Sequence, residues 1–298
     1  MGTNFRIIRD KSAGGLMFIL LILSIALLIA MGIGLYWKAA PVFEGRALKE
    51  LLFSANWKPL KGEFGFLPFV MGTLWVTGIA VLLALPVSLL AATFLTEYAK
   101  PFVKKYVFPA LDILAALPSV VYGVWGTLII VPWISEKLAP LFVEHSTGYS
   151  ALAGGIVLGV MILPLLVSLF IELFSAVPND LREASLGLGA TKWQTTQKVV
   201  LKKTIPGMIA AVVLAISRAF GETIAVLMVC GNLAQVPHSL FDPVYPIPAL
   251  IANNYGEMLS LPLYEAALMF AALILFVVVL LFNVASRMVL YRIEKKAS

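Results

Sequence analysis

Six stretches of this sequence carry almost no charge. Leu16–Trp37, Phe64–Thr96, Ser146–Ile171 and Ala266–Ser286 contain no Asp, Glu, Lys or Arg. Tyr106–Ser135 carries only Asp112, and Thr204–Leu240 only Arg218 and Glu222. About 20 apolar residues suffice to cross the hydrocarbon of a bilayer, where every backbone amide and carbonyl must be bonded inside the segment. The sequence therefore predicts an all-α polytopic membrane bundle of six transmembrane helices. Phe64–Thr96 exceeds one perpendicular crossing at about 1.5 Å per residue, so its Phe64-Gly65-Phe66-Leu67-Pro68 start is expected at the surface. The apolar run of the first span is longer than a signal-peptide core of about 7–15 residues, and no small-residue cleavage site follows it, so it reads as a retained helix.

Composition supports the same class. Of 298 residues, 61% are hydrophobic and 13% charged, against about half and a quarter in soluble domains. Such a chain is not a soluble enzyme, a disordered protein or a nucleic-acid-binding domain, even with a pI near 9.3. A single cysteine, Cys230, excludes an internal disulfide. Two distant histidines, His145 and His238, argue against a metal site, and no cofactor is implied. No Gly-x-x-x-x-Gly-Lys-Ser/Thr occurs, so the chain has no phosphate-cradling ATPase loop of its own.

Lys and Arg orient the bundle. Arg6, Arg9 and Lys11 precede the first span. Lys100, Lys104 and Lys105 lie between the second and third, Arg182, Lys192, Lys198, Lys202 and Lys203 between the fourth and fifth, and Arg287, Arg292, Lys295 and Lys296 near the end. All fall on one side of a six-span arrangement, which the positive-inside rule makes cytoplasmic. The opposite side holds Lys38, Arg46, Lys49, Lys58, Lys61 and Lys137. The net charge of +6 then reflects loops beside anionic lipid. The expected organisation is a cytoplasmic N-terminus over 1–15, a six-span domain over 16–290 with a cytoplasmic loop near 175–203, and a cytoplasmic C-terminus over 291–298.

That loop is the most informative stretch. Asp180 followed by Glu183, and Thr191 followed by Gln194, have capping-box spacing, while Gly187 and Gly189 suit a helix end. Two short helices with a glycine break are expected, the second running toward the fifth span. Taken alone, an amphipathic loop on the membrane surface fits equally well.

The loop resembles the EAA loop of bacterial ABC importer permeases: Glu183, Ala184 and Gly189 match in register, Ser185 replaces the second alanine, and Val199 and Leu201 hold the distal apolar positions. Lys202 stands where that pattern has proline, so the exit from the loop is expected at Lys202 or, with the helix continuing through Thr204, at Ile205-Pro206. Phe64-Gly-Phe-Leu-Pro before Met71-Gly-Thr-Leu, Ala116-Leu-Pro-Ser-Val-Val-Tyr-Gly, Ser217-Arg-Ala-Phe-Gly-Glu-Thr and Met228-Val-Cys-Gly-Asn are similar to segments of the phosphate-importer permeases, more to the PstC type than to its PstA partner. The resemblance implies the type I ABC importer (MetI-like) fold in a bacterial inner membrane. It implies a PstA-type permease, a dimer of a PstB-type ATPase and a PstS-type phosphate-binding protein as partners, with phosphate as substrate. It also implies that the stretch Arg182, Glu183, Ala184, Ser185, Gly187, Gly189 and Trp193 couples to the ATPase.

The intramembrane charges are the candidate translocation site. Arg218 follows Pro206 by twelve residues, about 18 Å along a helix starting there, and Glu222 lies one turn further on the same face. A charge at that depth costs about 2.5–3.5 kcal/mol on insertion scales, so both should face the bundle or a water path. They would either lock helices as an ion pair or serve transport: a guanidinium fork matches phosphate oxygens, and a carboxylate that holds it would keep binding weak enough for release. The resemblance agrees, since the family's matching Arg and Glu are implicated in transport. Thr73, Thr77, Ser119 and Thr223 are further candidates for the path, or else ordinary helix-to-helix hydrogen bonds. Gly155 and Gly159 form a GxxxG that reads as close helix packing.

The expected function is thus the permease subunit of an ATP-driven phosphate importer. The alternatives are a PstA-type subunit, a permease for molybdate or sulfate, or an ion-coupled secondary transporter with Glu222 as proton carrier.

Overall fold

The computed structural model describes residues 2–44, 46–256 and 261–297, with side chains described from Ala13 onward and incompletely beyond Ala285. The side chains of Arg6, Arg9, Lys11, Arg292, Lys295 and Lys296, on which part of the orientation rests, lie outside the described residues.

Six helices are long and apolar enough to cross a membrane: Ala13–Phe43, Leu67–Tyr98, Ser119–Leu141, Ala151–Ser175, Lys192–Phe220 and Pro262–Ala285. These are spans one to six below. Spans two to five enclose the main core, built from small and branched residues such as Val76, Ala80, Val157, Ile162, Leu166 and Ala215. Spans two and four form the most extensive helix pair. Small residues make that approach possible: a Cβ on Gly155 would run into the Ile79 side chain, and one on Gly159 would sit 3.2 Å from the Ala80 carbonyl oxygen. Close approach is how helices gain contact in lipid, where apolar burial gives no net drive.

A second core joins span six to the segments on one side of the bundle. Trp57 packs edge-on against Phe64, Phe66, Phe69 and Tyr264. Trp57–Lys58 and Glu63–Phe64 pair as a two-residue hairpin before span two. Phe64 and Phe66 are buried, and the helix starts only at Leu67 with Pro68 in its first turn. Phe64-Gly65-Phe66 therefore precedes the span, while Leu67-Pro68 open it. Span one packs along span six, and Lys38 and Glu265 pair at 2.7 Å near their joined ends.

Two expected spans are divided. Tyr106–Ser135 is not one helix: Pro101–Ala116 ends at Leu117, whose ψ is 135°, and span three begins at Ser119. Pro118 has no amide hydrogen and disfavours helical backbone in the residue before it. Asp112 sits exposed on the first helix, outside the span. Thr204–Leu240 is divided as well. Span five begins at Lys192, runs through Lys202 and Pro206 without a break, and stops at Phe220. The loop therefore exits at neither Lys202 nor Ile205-Pro206. A π-helical stretch over Thr196–Leu201 joins the two expected pieces into one helix. After Gly221-Glu222-Thr223 the chain resumes as the short helix Ile224–Val229.

Candidate functional site

The break after Phe220 organises the candidate path. It separates Arg218 and Glu222, which the sequence spacing placed on one helical face. Among the described residues no ion pair joins them. Each instead meets a helix end. Arg218 sits in the last turn of span five, where the unpaired carbonyls favour a cation. Glu222 precedes Ile224–Val229, and its Oε1 accepts from the Ala225 amide at 3.3 Å, where unpaired amides favour an anion. One interruption of the helix thus stabilises two charges of opposite sign.

The two charges face different neighbours. Glu222 lines a crevice of about 10 Å3 with Thr73, Thr77, Ala219, Phe220 and Val226, near the smallest space that holds one water. Thr73 is buried; its hydroxyl donates to the Phe69 carbonyl at 2.8 Å and accepts from the Ile247 amide at 3.0 Å. It therefore fastens span two to the start of the helix Ile247–Asn254. Thr77 is buried one turn on. Arg218 is exposed on the chain, while the Tyr122 hydroxyl of span three donates to the Leu114 carbonyl at 2.6 Å. Ser119 is the first residue of that span, half-buried. The Thr223 hydroxyl donates back to the Gly221 carbonyl at 3.3 Å and is absorbed in the break.

Further groups hold the break in place and are not evident from sequence spacing. Thr127 of span three donates to the Met228 carbonyl at 3.2 Å. Asn232, with φ 53°, donates to the Leu227 carbonyl at 2.8 Å. Gly231 has φ +84° and lies against Pro243, so the chain turns back here without room for a side chain. On the same side, outside the spans, burial raises the Tyr245 phenol above its ordinary pKa, against the opposing effect of hydrogen bonds from Asn253 and Asn254.

Of the two helical pieces expected between spans four and five, the first lies in the loop and the second is the start of span five itself. Asn179–Gly187 forms the first, but the box expected from Asp180 and Glu183 does not form: the helix begins two residues earlier, with Pro178 in place of Asp180 at its cap position and no side-chain cap. Gly189, at φ +84°, makes the turn. The second box forms in full, Thr191 accepting from the Gln194 amide and Gln194 from the Thr191 amide. Ser185 and Thr195 hydroxyls, 2.9 Å apart, fasten the two pieces together. Glu183, Ala184, Gly187, Leu188, Gly189 and Trp193 are exposed. Arg182, grouped with them from sequence, points the other way. It pairs with Glu97 at 3.0 Å, its side chain only 16% exposed, and donates to the Phe174 carbonyl at 2.6 Å and to the Val177 carbonyl.

Residues 84–297 match the family of binding-protein-dependent transport system inner membrane components. The chain belongs to that family. It is 35% identical to the phosphate transport system permease protein PstC of Haemophilus influenzae over 94% of this chain and 90% of that protein. It is 34% identical to the PstC of Mesorhizobium japonicum over 92% and 88%. A chain of a bacterial alginate ABC transporter, solved in complex with an alginate pentasaccharide-bound periplasmic protein, shares the fold at TM-score 0.58 and 15% identity, covering 97% of this chain and 98% of that one. The chain is a multi-pass membrane permease of the ABC importer class.

Proposed function

We propose that this chain is the PstC-type permease subunit of an ATP-driven importer of inorganic phosphate. It forms half of a translocation path with a homologous PstA-type permease, receives phosphate from a PstS-type binding protein, and is driven by a PstB-type ATPase dimer. Both termini and the loop near 175–203 lie in the cytoplasm, as the distribution of Lys and Arg supports.

The observation that carries this reading is the interrupted fifth helix. Non-helical backbone at membrane depth is tolerated where it lines a cavity or is buried in protein, and half-helix ends there interact with ions. Arg218 presents a planar fork suited to a phosphate oxygen pair. Glu222, held by the Ala225 amide and beside Thr73 and Thr77, would repel a doubly charged anion and favour its departure. Thr223 and Ser119 flank this region. The exposed residues Glu183, Ala184, Gly187, Gly189 and Trp193, with the half-buried Ser185 behind them, are the surface offered to the ATPase. Its motion reaches Arg218 through one uninterrupted helix from Lys192 to Phe220.

The test is uptake of labelled phosphate by vesicles holding the reconstituted four-component complex. Uptake should require ATP and resist competition by sulfate or molybdate. Uptake without nucleotide would favour an ion-coupled carrier, and competition by another oxyanion would change the substrate.

A further inference from the structure

The loop end of span two turns through a π-helical stretch, Phe94–Tyr98. Three consecutive residues there each receive a cation from a different element. Lys104, on the helix Pro101–Ala116, donates to the Thr96 carbonyl at 3.3 Å. Arg182, on the first coupling helix, pairs with Glu97 at 3.0 Å. Lys192, at the start of span five, lies 4.9 Å from the Tyr98 ring centroid. Among the described residues Glu97 is the most enclosed of the ion-paired side chains, 9% exposed. Arg182 also donates to the Phe174 carbonyl in the last turn of span four and to the Val177 carbonyl just beyond it. One guanidinium therefore joins the coupling helix to spans two and four together. Such a charge-assisted, multiply bonded fork is directional and stiff, unlike apolar contact.

We propose that Glu97 is a positioning residue for energy coupling. Through Arg182 it makes span two, which carries Thr73 and Thr77, move with the coupling helix Asn179–Gly187. This rests on the reading of the chain as an ATP-driven permease. Motion of the ATPase then reaches the path by two routes: along span five to Arg218, and across the Arg182–Glu97 pair to the wall opposite Glu222. Both sides of the crevice shift together, which a single lever through span five would not ensure.

The test compares the parent, Glu97→Gln and Glu97→Asp chains in the complete reconstituted complex. Labelled phosphate uptake and ATP hydrolysis are measured on the same vesicles. Glu97→Gln should keep assembly and hydrolysis but move at least about 5-fold less phosphate per ATP, the low end of common coupling factors. Glu97→Asp should recover most of that ratio. An unchanged ratio in Glu97→Gln, or uptake and hydrolysis falling together with lost assembly, overturns the proposal. Hydrogen exchange on the same complexes gives a readout independent of substrate. In the parent, ATP binding should alter exchange in both 179–187 and 67–98. In Glu97→Gln only the first should respond. A response of 67–98 that persists in Glu97→Gln overturns the proposal. A parent complex that moves no phosphate on ATP instead removes the functional reading, and the exchange result still decides the role of Glu97.

Discussion

The Thr73 hydroxyl accepts a hydrogen bond from the Ile247 amide at 3.0 Å while donating to Phe69. It is the one described hydrogen bond that fastens the wall of the crevice beside Glu222 to the loop helix above it. Thr73→Val keeps the shape and removes the acceptor. A buried amide left without its partner costs about 1–3 kcal/mol. The variant should therefore unfold at lower temperature in detergent and transport less, while Thr73→Ser stays close to the parent. Equal melting of Thr73→Val and parent would mean that the amide finds another acceptor.

Arg218→Gln should lower phosphate uptake about tenfold or more with little change in membrane abundance, since one charge-assisted hydrogen bond is worth about 1.5–3 kcal/mol and 1.4 kcal/mol is tenfold. Arg218→Lys should recover only part, because an ammonium lacks the planar fork. Unchanged uptake in Arg218→Gln would remove this residue from the path.

Gly189 turns the chain at φ +84° with nothing near its missing side chain. Gly189→Val is therefore disfavoured by backbone conformation, by about 1–3 kcal/mol locally, and not by crowding. The two coupling pieces should lose their relative angle, and copurification of the ATPase should fall while the permease still inserts. Glu183→Lys, on an exposed site, should weaken copurification without altering thermal stability. Normal ATPase recovery in both variants would assign docking to another surface.

Gly155 tests the span two to span four contact. Because a Cβ there meets Ile79, Gly155→Ala should cost about 1–3 kcal/mol through overpacking, and Gly155→Leu should abolish the monodisperse peak in size-exclusion chromatography. The double variant Gly155→Ala, Ile79→Ala should regain stability over Gly155→Ala alone.

Much of this was legible before any coordinates. The six crossings follow from charge-free length, and the Thr191–Gln194 cap and the Gly189 turn follow from local chemistry that tertiary contacts do not override. What escaped was set by long-range partners. Arg182 reads as a loop charge until the Phe174 carbonyl and Glu97 are placed beside it. Arg218 and Glu222 read as one turn of one helix, because a lone glycine at 221 gives no strong sign that the helix ends. The Asp180 box failed because Pro178 already supplies a rigid start two residues earlier. The continuous passage through Pro206 was hidden because proline usually marks a helix start or a kink, whereas here it lies midway along the helix Lys192–Phe220, shortly after the π-helical stretch Thr196–Leu201.

Span one is the most apolar of the six crossings, and the window that defines it is wholly unburied. Its neighbour in the fold is span six, which is translated only after all the others. During synthesis this helix must therefore persist alone in lipid until the last crossing emerges, so its outward surface answers to the insertion machinery and the acyl chains. Substitutions there that keep the oiliness should pass unnoticed by transport, and the first crossing is the natural place to fuse a tag or exchange one species' segment for another's.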